Sequence, residues 1–244
     1  MKNQSHILLI LTGNSLDSVR QQFGNFDAHF FAITNAQHTV YAICDKWPDE
    51  AVPDITQFDG IIFSGSAAMV DENKPWMQPA TKLILMALEK EIPLLCICFG
   101  HQLLGLACQA LVGPNPKGRA LGSRQVTIIK NDDILLRDKP TKLWVQTSHR
   151  DVILSKSPHF EVLATAPHDP FHMIKAGKNA WGVQFHPEWN TNIMQSYLEA
   201  RRAVFDKEWG ENATEKEILD IKVSDEASRI LLRFVDICRP EHHI

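Results

Sequence analysis

The feature that most constrains the fold is an apolar run at residues 92–97, followed almost at once by a glycine and a helical stretch. A strand with one face in water would alternate polar and apolar residues. A continuous apolar run is instead typical of a parallel strand buried on both faces. The run therefore predicts a central strand in a sheet that helices cover on both sides.

The same alternation of strand and helix extends over the first half of the chain. β-rich runs alternate with helical patterns, the former at residues 7–11, 39–44 and 60–63 and the latter at 16–23, 79–90 and 101–111. Short strands with intervening turns follow, at residues 126–130, 143–146, 160–164 and 173–175, before 181–185 returns to the parallel style. We predict an α/β fold with a mostly parallel sheet, helices on both faces and a small antiparallel addition.

Length and composition fit one globular unit. The chain has 244 residues, of which 44% are hydrophobic and 22% charged, which is ordinary for a folded domain. We expect a single domain over residues 1–244, with a helix-rich, charged extension from about residue 194 to residue 244.

The net charge indicates which partners to expect, and the number and spacing of cysteines indicate the cellular compartment. A formal net charge of -4 and a pI near 6.2 point to neither nucleic acid nor an anionic membrane as partner. The apolar run near the start is too short for a signal peptide or a membrane span. The five cysteines are odd in number and irregularly spaced, so we expect a reducing, cytoplasmic location without disulfides. Cys96 and Cys98 lack zinc-finger spacing, and no metal is expected.

Cys98 stands at the turn that ends the central strand. Residues 98–102 read Cys-Phe-Gly-His-Gln, and Gly100 permits a sharp turn beside the thiol. A thiol here lies at the C-terminal end of the sheet, where ligands bind, and a helix N-terminus favours its thiolate. The alternative is a buried structural cysteine, which is how we interpret Cys96 inside the strand.

A second segment supplies a base and an acid. Residues 181–188 read Trp-Gly-Val-Gln-Phe-His-Pro-Glu. His186 at a strand end can act as general base toward a thiol, and Glu188, across a proline, can hold the working tautomer of the imidazole. Taken alone, the tripeptide also fits a surface histidine followed by a solvated glutamate.

Together the two segments resemble the class I (triad) glutamine amidotransferases. Members of that family carry a Cys-x-Gly-x-Gln elbow and, at long spacing, a downstream Gly-x-Gln-Phe-His-Pro-Glu, and the resemblance covers roughly residues 40–190. It implies a flavodoxin-like sheet and a catalytic triad of Cys98, His186 and Glu188. It also implies that the reaction needs neither metal nor cofactor.

The resemblance further implies an oxyanion hole. Gly65 and Ser66 stand where the family has a Ser-Gly-Gly-Pro-like loop that supplies one backbone N–H, and Phe99 supplies the other. Fixed amides stabilise the negative oxygen of a tetrahedral intermediate. The chain departs from the family by having Ser66 and Ala67 in place of Gly-Pro, so a preformed and an unformed hole both remain open.

Substrate contacts are implied by two more segments. Gln102 resembles the family glutamine that contacts substrate, with a helix-surface amide as the alternative. Ser148 and His149 belong to a segment that resembles the family's Ser-His-x-Asp, whose backbone helps hold the α-carboxylate and amine of glutamine. Arg150 and Asp151 also fit a solvated turn, and His149 is an alternative base that the His-Pro-Glu match disfavours against His186.

The reaction implied is hydrolysis of a γ-glutamyl amide through a thioester on Cys98. Residues 71–76, Asp-Glu-Asn-Lys-Pro-Trp, look like the stand-alone branch related to γ-glutamyl peptidases and to guanylate synthase glutaminase-like proteins. We therefore favour a free hydrolase acting on a small γ-glutamyl substrate. The alternatives are a glutaminase that passes ammonia to a separate synthase subunit and an inactive binding protein that keeps the fold.

Overall fold

The structure is a computed structural model that describes residues 4–34 and 36–239. Eleven strands lie within these residues: β1 (His6–Leu11), β2 (Gln37–Ala42), β3 (Gly60–Phe63), β4 (Leu94–Ile97), β5 (Val112–Pro114), β6 (Ala120–Ile128), β7 (Lys142–His149), β8 (Asp151–Ile153), β9 (Glu161–Ala166), β10 (Asp169–Ala176) and β11 (Ala180–Val183). The helices of the described chain are α1 (Asp17–Phe23), α2 (Phe26–Ile33), α3 (Ile43–Lys46), α4 (Met77–Glu89), α5 (Phe99–Ala107), α6 (Thr191–Ala200), α7 (Arg202–Trp209), α8 (Ala213–Leu219) and α9 (Asp225–Ile237).

Nine of the strands form one sheet in the order β2-β1-β3-β4-β11-β10-β9-β6-β7. The first five in this order are parallel, and the remaining neighbours pair antiparallel. β4 lies at the centre of the parallel half, where Leu95 pairs with Ile62 on one side and Trp181 on the other. The predicted α/β fold with its antiparallel addition is confirmed.

Two apolar cores sandwich this sheet. One core lies under α4 and α5. The other lies under α1, α2 and the helices that follow β11. Every residue of β4 is fully buried, as a strand covered on both faces requires. The continuous apolar character of residues 94–97 follows from this double burial.

The C-terminal helices cover one face of the sheet. α9 buries Ile230, Leu231 and Phe234 completely, and the Phe234 ring contacts Trp181 of β11 edge to face. Near the start of α9, the Ser224 hydroxyl donates to the carbonyl of Trp189 and that of Ser228 to the carbonyl of Pro187. The extension predicted from about residue 194 is thus packed against the sheet and against the segment that follows β11.

The sequence patterns missed α2, α3, β5 and β8, and the strand predicted at residues 39–44 ends at Ala42, where α3 begins. α2 was not predicted, because its mostly apolar sequence has little helical periodicity. The small β5-β8 sheet was also missed, because each of its strands has only three residues. In the part of the chain that the structure describes, no helix is both long enough and apolar enough to cross a membrane.

Candidate active site

Cys98 stands at a strained elbow between β4 and α5. Its backbone has φ 52° and ψ -101°, a region that side-chain-bearing residues rarely occupy and that costs about 1–3 kcal/mol. The Cys98 N–H donates to the carbonyl of Val183 at 2.8 Å, which ties the elbow to β11. The strained backbone holds the thiol at the C-terminal edge of the sheet and at the N-terminus of α5.

Gly100 is required for this elbow to form. A β-carbon at residue 100 would lie 2.8 Å from Cβ of Phe63 and 3.0 Å from its carbonyl oxygen, too close for any side chain. α5 therefore starts directly against the end of β3. Phe99, the residue after the nucleophile, is buried and packs against Trp76, with ring centroids 5.6 Å apart.

The segment after β11 brings His186 and Glu188 to the same edge. Nδ1 of His186 lies 2.7 Å from Oε1 of Glu188, and both residues are buried. The backbone N–H of His186 donates to the carbonyl of Gln146 at 2.9 Å, so β7 fixes the backbone of this residue. Because Nδ1 of His186 is bonded to Glu188, Nε2 is the ring nitrogen available for proton transfer.

Aromatic rings hold the imidazole in place. The indole of Trp189 stacks on the His186 ring with centroids 3.7 Å apart and planes 4° apart, and Tyr197 stacks on Trp189 at 4.0 Å. The Tyr197 hydroxyl lies 2.9 Å from the hydroxyl of Ser15 in α1's preceding loop. An indole face also favours a cation above it, so the stack both orients His186 and supports its charged form.

The charge of His186 is set by its buried neighbours. Burial lowers the pKa of His186, but the negative charges of Glu188 and of Cys98 outweigh it and raise the pKa to about 10. At neutral pH the imidazole beside Cys98 is therefore protonated. An imidazolium facing a thiolate is the activated state of a cysteine nucleophile.

The loop after β3 closes over the same two side chains. A β-carbon at Gly65 would lie 2.8 Å from Cε1 of His186 and 3.5 Å from Cβ of Cys98. The Gly65 carbonyl accepts hydrogen bonds from the hydroxyls of Thr12 at 3.1 Å and Ser64 at 3.0 Å. Because N–H and C=O of a trans peptide point in opposite directions, the Ser66 N–H is directed away from both hydroxyls.

A pocket beside the thiol gathers the residues that the resemblance assigned to substrate. Cys98, Ser66, Gln102, Ser148 and His149 all line it. Gly65 and Phe99, also predicted from the sequence, are not among the lining residues but are adjacent in sequence to Ser66 and Cys98, which are. The structure thus brings the predicted site residues to one place, while their catalytic and substrate-binding roles stay predictions.

Two of these side chains make structural bonds as well. Nε2 of Gln102 donates to the carbonyl of Asp151 at 2.8 Å and, more weakly, to Oε1 of Gln184 at 3.4 Å. Nδ1 of His149 lies 3.3 Å from the same Asp151 carbonyl. The imidazole of His149 is thereby directed toward the chain's interior, and His186 is the histidine that meets Cys98 and Glu188.

The outer wall of the pocket carries two arginines that sequence reasoning missed. Arg119 and Arg201 both line the pocket. Arg119 forms an ion pair with Glu208, 3.1 Å away. Arg201 has no carboxylate within 4.0 Å among residues 4–34 and 36–239, and burial next to Arg119 lowers its pKa. The two arginines come from distant parts of the chain, so no local motif indicated them. Trp189, which the sequence analysis also missed, directly follows the predicted acid Glu188 and could have been found from that position.

Comparison with known proteins identifies the family and the fold. A sequence model described as "Glutamine amidotransferase class-I" matches residues 22–203. The crystal structure of a glutamine amidotransferase from Thermotoga maritima superposes with a TM-score of 0.75, covering 96% of this chain and 98% of that one. At 20% sequence identity, this second likeness concerns the fold.

Two relatives carry different names. A "GMP synthase [glutamine-hydrolyzing]" from Porphyromonas gingivalis W83 is 35% identical over 147 residues, which are 59% of this chain but only 28% of that protein. "Gamma-glutamyl peptidase 3" of Arabidopsis thaliana is 24% identical over 203 residues, covering 80% of this chain and 81% of the peptidase. The chain therefore matches a small part of the synthase and most of the peptidase.

Proposed function

Since the chain belongs to the class I glutamine amidotransferase family, we propose that it hydrolyses the γ-amide bond of a γ-glutamyl compound. The observation that carries this proposal is the buried His186–Glu188 hydrogen bond beside Cys98, whose thiol lies 3.8 Å from the Ser148 carbonyl at the same edge of the sheet. A thiolate paired with an imidazolium attacks a carbonyl carbon without a separate deprotonation step. In this proposed mechanism no proton has to move within the triad before the attack.

The proposed reaction has two halves. The thiolate of Cys98 adds to the γ-carbonyl carbon, and His186 then donates its proton to the leaving nitrogen as the C–N bond breaks. Ammonia or an amine departs and leaves a γ-glutamyl thioester. His186, now neutral, accepts a proton from water that attacks the thioester, and glutamate leaves as the thiolate is restored.

Two backbone amides are proposed to stabilise the oxyanion of both steps. The Phe99 N–H lies at the first turn of α5, where the helix dipole also favours negative charge. The Ser66 N–H is the second donor. The Ser64 hydroxyl donates to the Gly65 carbonyl, and the Thr12 hydroxyl is shared between this carbonyl at 3.1 Å and that of Ser64 at 2.9 Å. These contacts support a preformed hole, because a flipped peptide would lose them. Thr12 is then a positioning residue for the oxyanion hole.

A free hydrolase is favoured over a synthase subunit. The chain covers about four fifths of a named γ-glutamyl peptidase, and the lining of its pocket includes Arg119 and Arg201, which could bind the amine half of a γ-glutamyl substrate. The 35% identity to a GMP synthase supports the second candidate. In that case the chain is a glutaminase whose ammonia is used by a separate synthase subunit.

Glutamate release by the purified chain tests the two candidates. Glutamine and a panel of γ-glutamyl dipeptides are supplied to the chain alone. Higher kcat/KM with a dipeptide than with glutamine is the result expected of the free hydrolase. Absence of turnover with every substrate would contradict that proposal. Glutaminase activity that appears only on addition of a synthase subunit would instead establish the second candidate, and binding without any turnover would indicate an inactive binding protein.

The arginines predict the charge of the leaving amine. Arg201 presents a cation without a nearby carboxylate to the outer pocket, and a carboxylate on the amine half of the substrate supplies its partner. We expect Arg201→Gln to raise KM for γ-glutamylglycine by roughly 10-fold, since a charged hydrogen bond contributes about 1.5–3 kcal/mol. KM for glutamine, which lacks this half, stays unchanged. Steady-state kinetics with both substrates measures the difference.

Arg202→Gln is the matched control for this prediction. Arg202 is adjacent in sequence but exposed, and it pairs with Glu215 away from the pocket. γ-Glutamylglycinamide, which has no carboxylate, serves as the neutral substrate. If Arg201→Gln raised KM equally for γ-glutamylglycinamide and γ-glutamylglycine, Arg201 would not bind the substrate carboxylate.

The high pKa of His186 predicts the alkaline limit of activity. The imidazolium persists up to its pKa of about 10, so kcat/KM should fall only as the pH rises through that value. Glu188→Gln removes a negative charge that raises this pKa. We expect the alkaline limb of the kcat/KM profile to move down by roughly 1–3 pH units, the shift typical of a close opposite charge.

The control for the pH profile is Glu199→Gln, which removes an exposed carboxylate of α6. It should leave the alkaline limb in place. A limb that stays at the same pH in Glu188→Gln would mean that a group other than His186 limits the activity in alkali.

A further inference from the structure

Three histidines outside the triad converge behind the pocket wall. His149 ends β7, His168 lies in the turn between β9 and β10, and His172 lies on β10. One ring nitrogen from each lies within 4.8 Å of those of the other two. The ring centroids are 5.4–6.0 Å apart. The proposed hydrolysis uses none of these imidazoles.

Each of the three rings has one nitrogen without a hydrogen-bond partner among residues 4–34 and 36–239. The Nε2 atoms of all three histidines are buried and have no hydrogen-bond partner in the described part of the chain. Buried polar atoms without partners are rare and costly. Unpartnered nitrogens on three rings that converge within 4.8 Å of one another through one ring nitrogen each indicate that a ligand belongs there.

In His172 and His149 the opposite ring nitrogen is held in the manner of a metal ligand. Nδ1 of His172 lies 3.0 Å from Oδ2 of the fully buried Asp169, and Nδ1 of His149 lies 3.3 Å from the Asp151 carbonyl. A carboxylate or carbonyl on one nitrogen fixes the tautomer that presents the other nitrogen's lone pair to a metal.

We propose that His149, His168 and His172 bind a divalent transition metal ion of the zinc type, with Asp169 orienting His172. Imidazole is a preferred ligand of such ions. Zn–N bonds of about 2.0–2.1 Å require the three nitrogens to approach one another by roughly 1 Å. His168 is half-buried in a tight turn, which gives both the freedom for this approach and the route of entry.

The ion would join the pocket wall at the end of β7 to the β9–β10 turn behind it. His149 directly follows Ser148, which lines the pocket, and the β9–β10 turn carries the opposite ligand. A metal bridge therefore joins the end of β7 to this turn behind the substrate site. Its expected effect is structural, since the triad lies outside the cluster.

Metal binding is measured on protein without a histidine tag, in a Cys98→Ser background that removes the triad thiol as a competing ligand. The protein is freed of metal with a chelator and titrated with Co²⁺ and Zn²⁺. We expect one equivalent bound per chain, visible absorption typical of Co²⁺ with nitrogen ligands, and a raised Tm. His168→Asn should abolish all three changes, and Asp169→Asn should weaken affinity by roughly 10- to 100-fold.

His159→Asn is the matched control, because His159 is exposed and lies outside the cluster. It should bind metal like the parent. Absence of saturable binding, or binding that His168→Asn leaves intact, would overturn the proposal. These readouts do not depend on turnover, so the metal site and the hydrolase are tested separately.

Discussion

Cys98→Ser will lower kcat for γ-glutamyl amide hydrolysis by on the order of 10⁴- to 10⁶-fold, the cost of losing a nucleophile from a triad. The reason lies in the charge of the pair. His186 is raised to a pKa of about 10 partly by the anionic sulfur, and a serine hydroxyl is not ionised at neutral pH. The variant therefore lacks the nucleophile that the imidazolium stabilises. Single-turnover glutamate release measures the loss.

Two controls accompany this substitution. Cys44→Ser changes a thiol outside the pocket, whose pKa burial raises to about 12, and should retain full activity. Thermal unfolding of Cys98→Ser should resemble that of the parent, because one atom changes. Full activity in the folded Cys98→Ser protein would disprove the whole mechanism.

Gly65→Ala will lower kcat/KM by roughly 100-fold with little change in substrate affinity. Its β-carbon would lie 2.8 Å from Cε1 of His186, and contacts under 3.0 Å force a neighbour to move. The stacked Trp189 restricts where the imidazole can go, so the ring shifts relative to Cys98. A misplacement of about 1 Å at a reacting group costs on the order of 10²-fold.

Gly113→Ala is the control, because the nearest atom to its added β-carbon is a flexible leucine methyl, 3.3 Å away. It should leave kcat/KM unchanged. Full activity in Gly65→Ala would mean that the β3 loop lies farther from the base in the working enzyme. A crystal structure of the variant would then locate the ring.

The parallel half of the fold was predictable because its signals are local. β4 is buried on both faces, and an unbroken apolar run in the sequence predicted this burial. β3 was predicted to the residue, at residues 60–63. The strand predicted at residues 126–130 started late and ran past the end of β6, and the one predicted at 143–146 covered only part of β7, because antiparallel strands can mix polar and apolar residues.

The site was predictable where its motifs are contiguous. Cys98, His186 and Glu188 each follow a strand end, and the sheet brings such ends to one edge. The arginines and the histidine cluster come from separate elements. His149 and His172 are more than twenty residues apart in sequence, and only the pairing of β7, β6, β9 and β10 brings them together. No single-sequence pattern encodes that proximity.

The bonds from α9 to the segment carrying the base have a consequence for synthesis on the ribosome. The backbone that presents His186 and Glu188 is held by Ser224 and Ser228 through the carbonyls of Trp189 and Pro187. Translation at roughly 5–20 residues per second therefore produces the Cys98 elbow several seconds before these serines. A nascent chain carries the thiol without its aligned partner, so we expect the proposed hydrolysis to begin only when the last helix has docked.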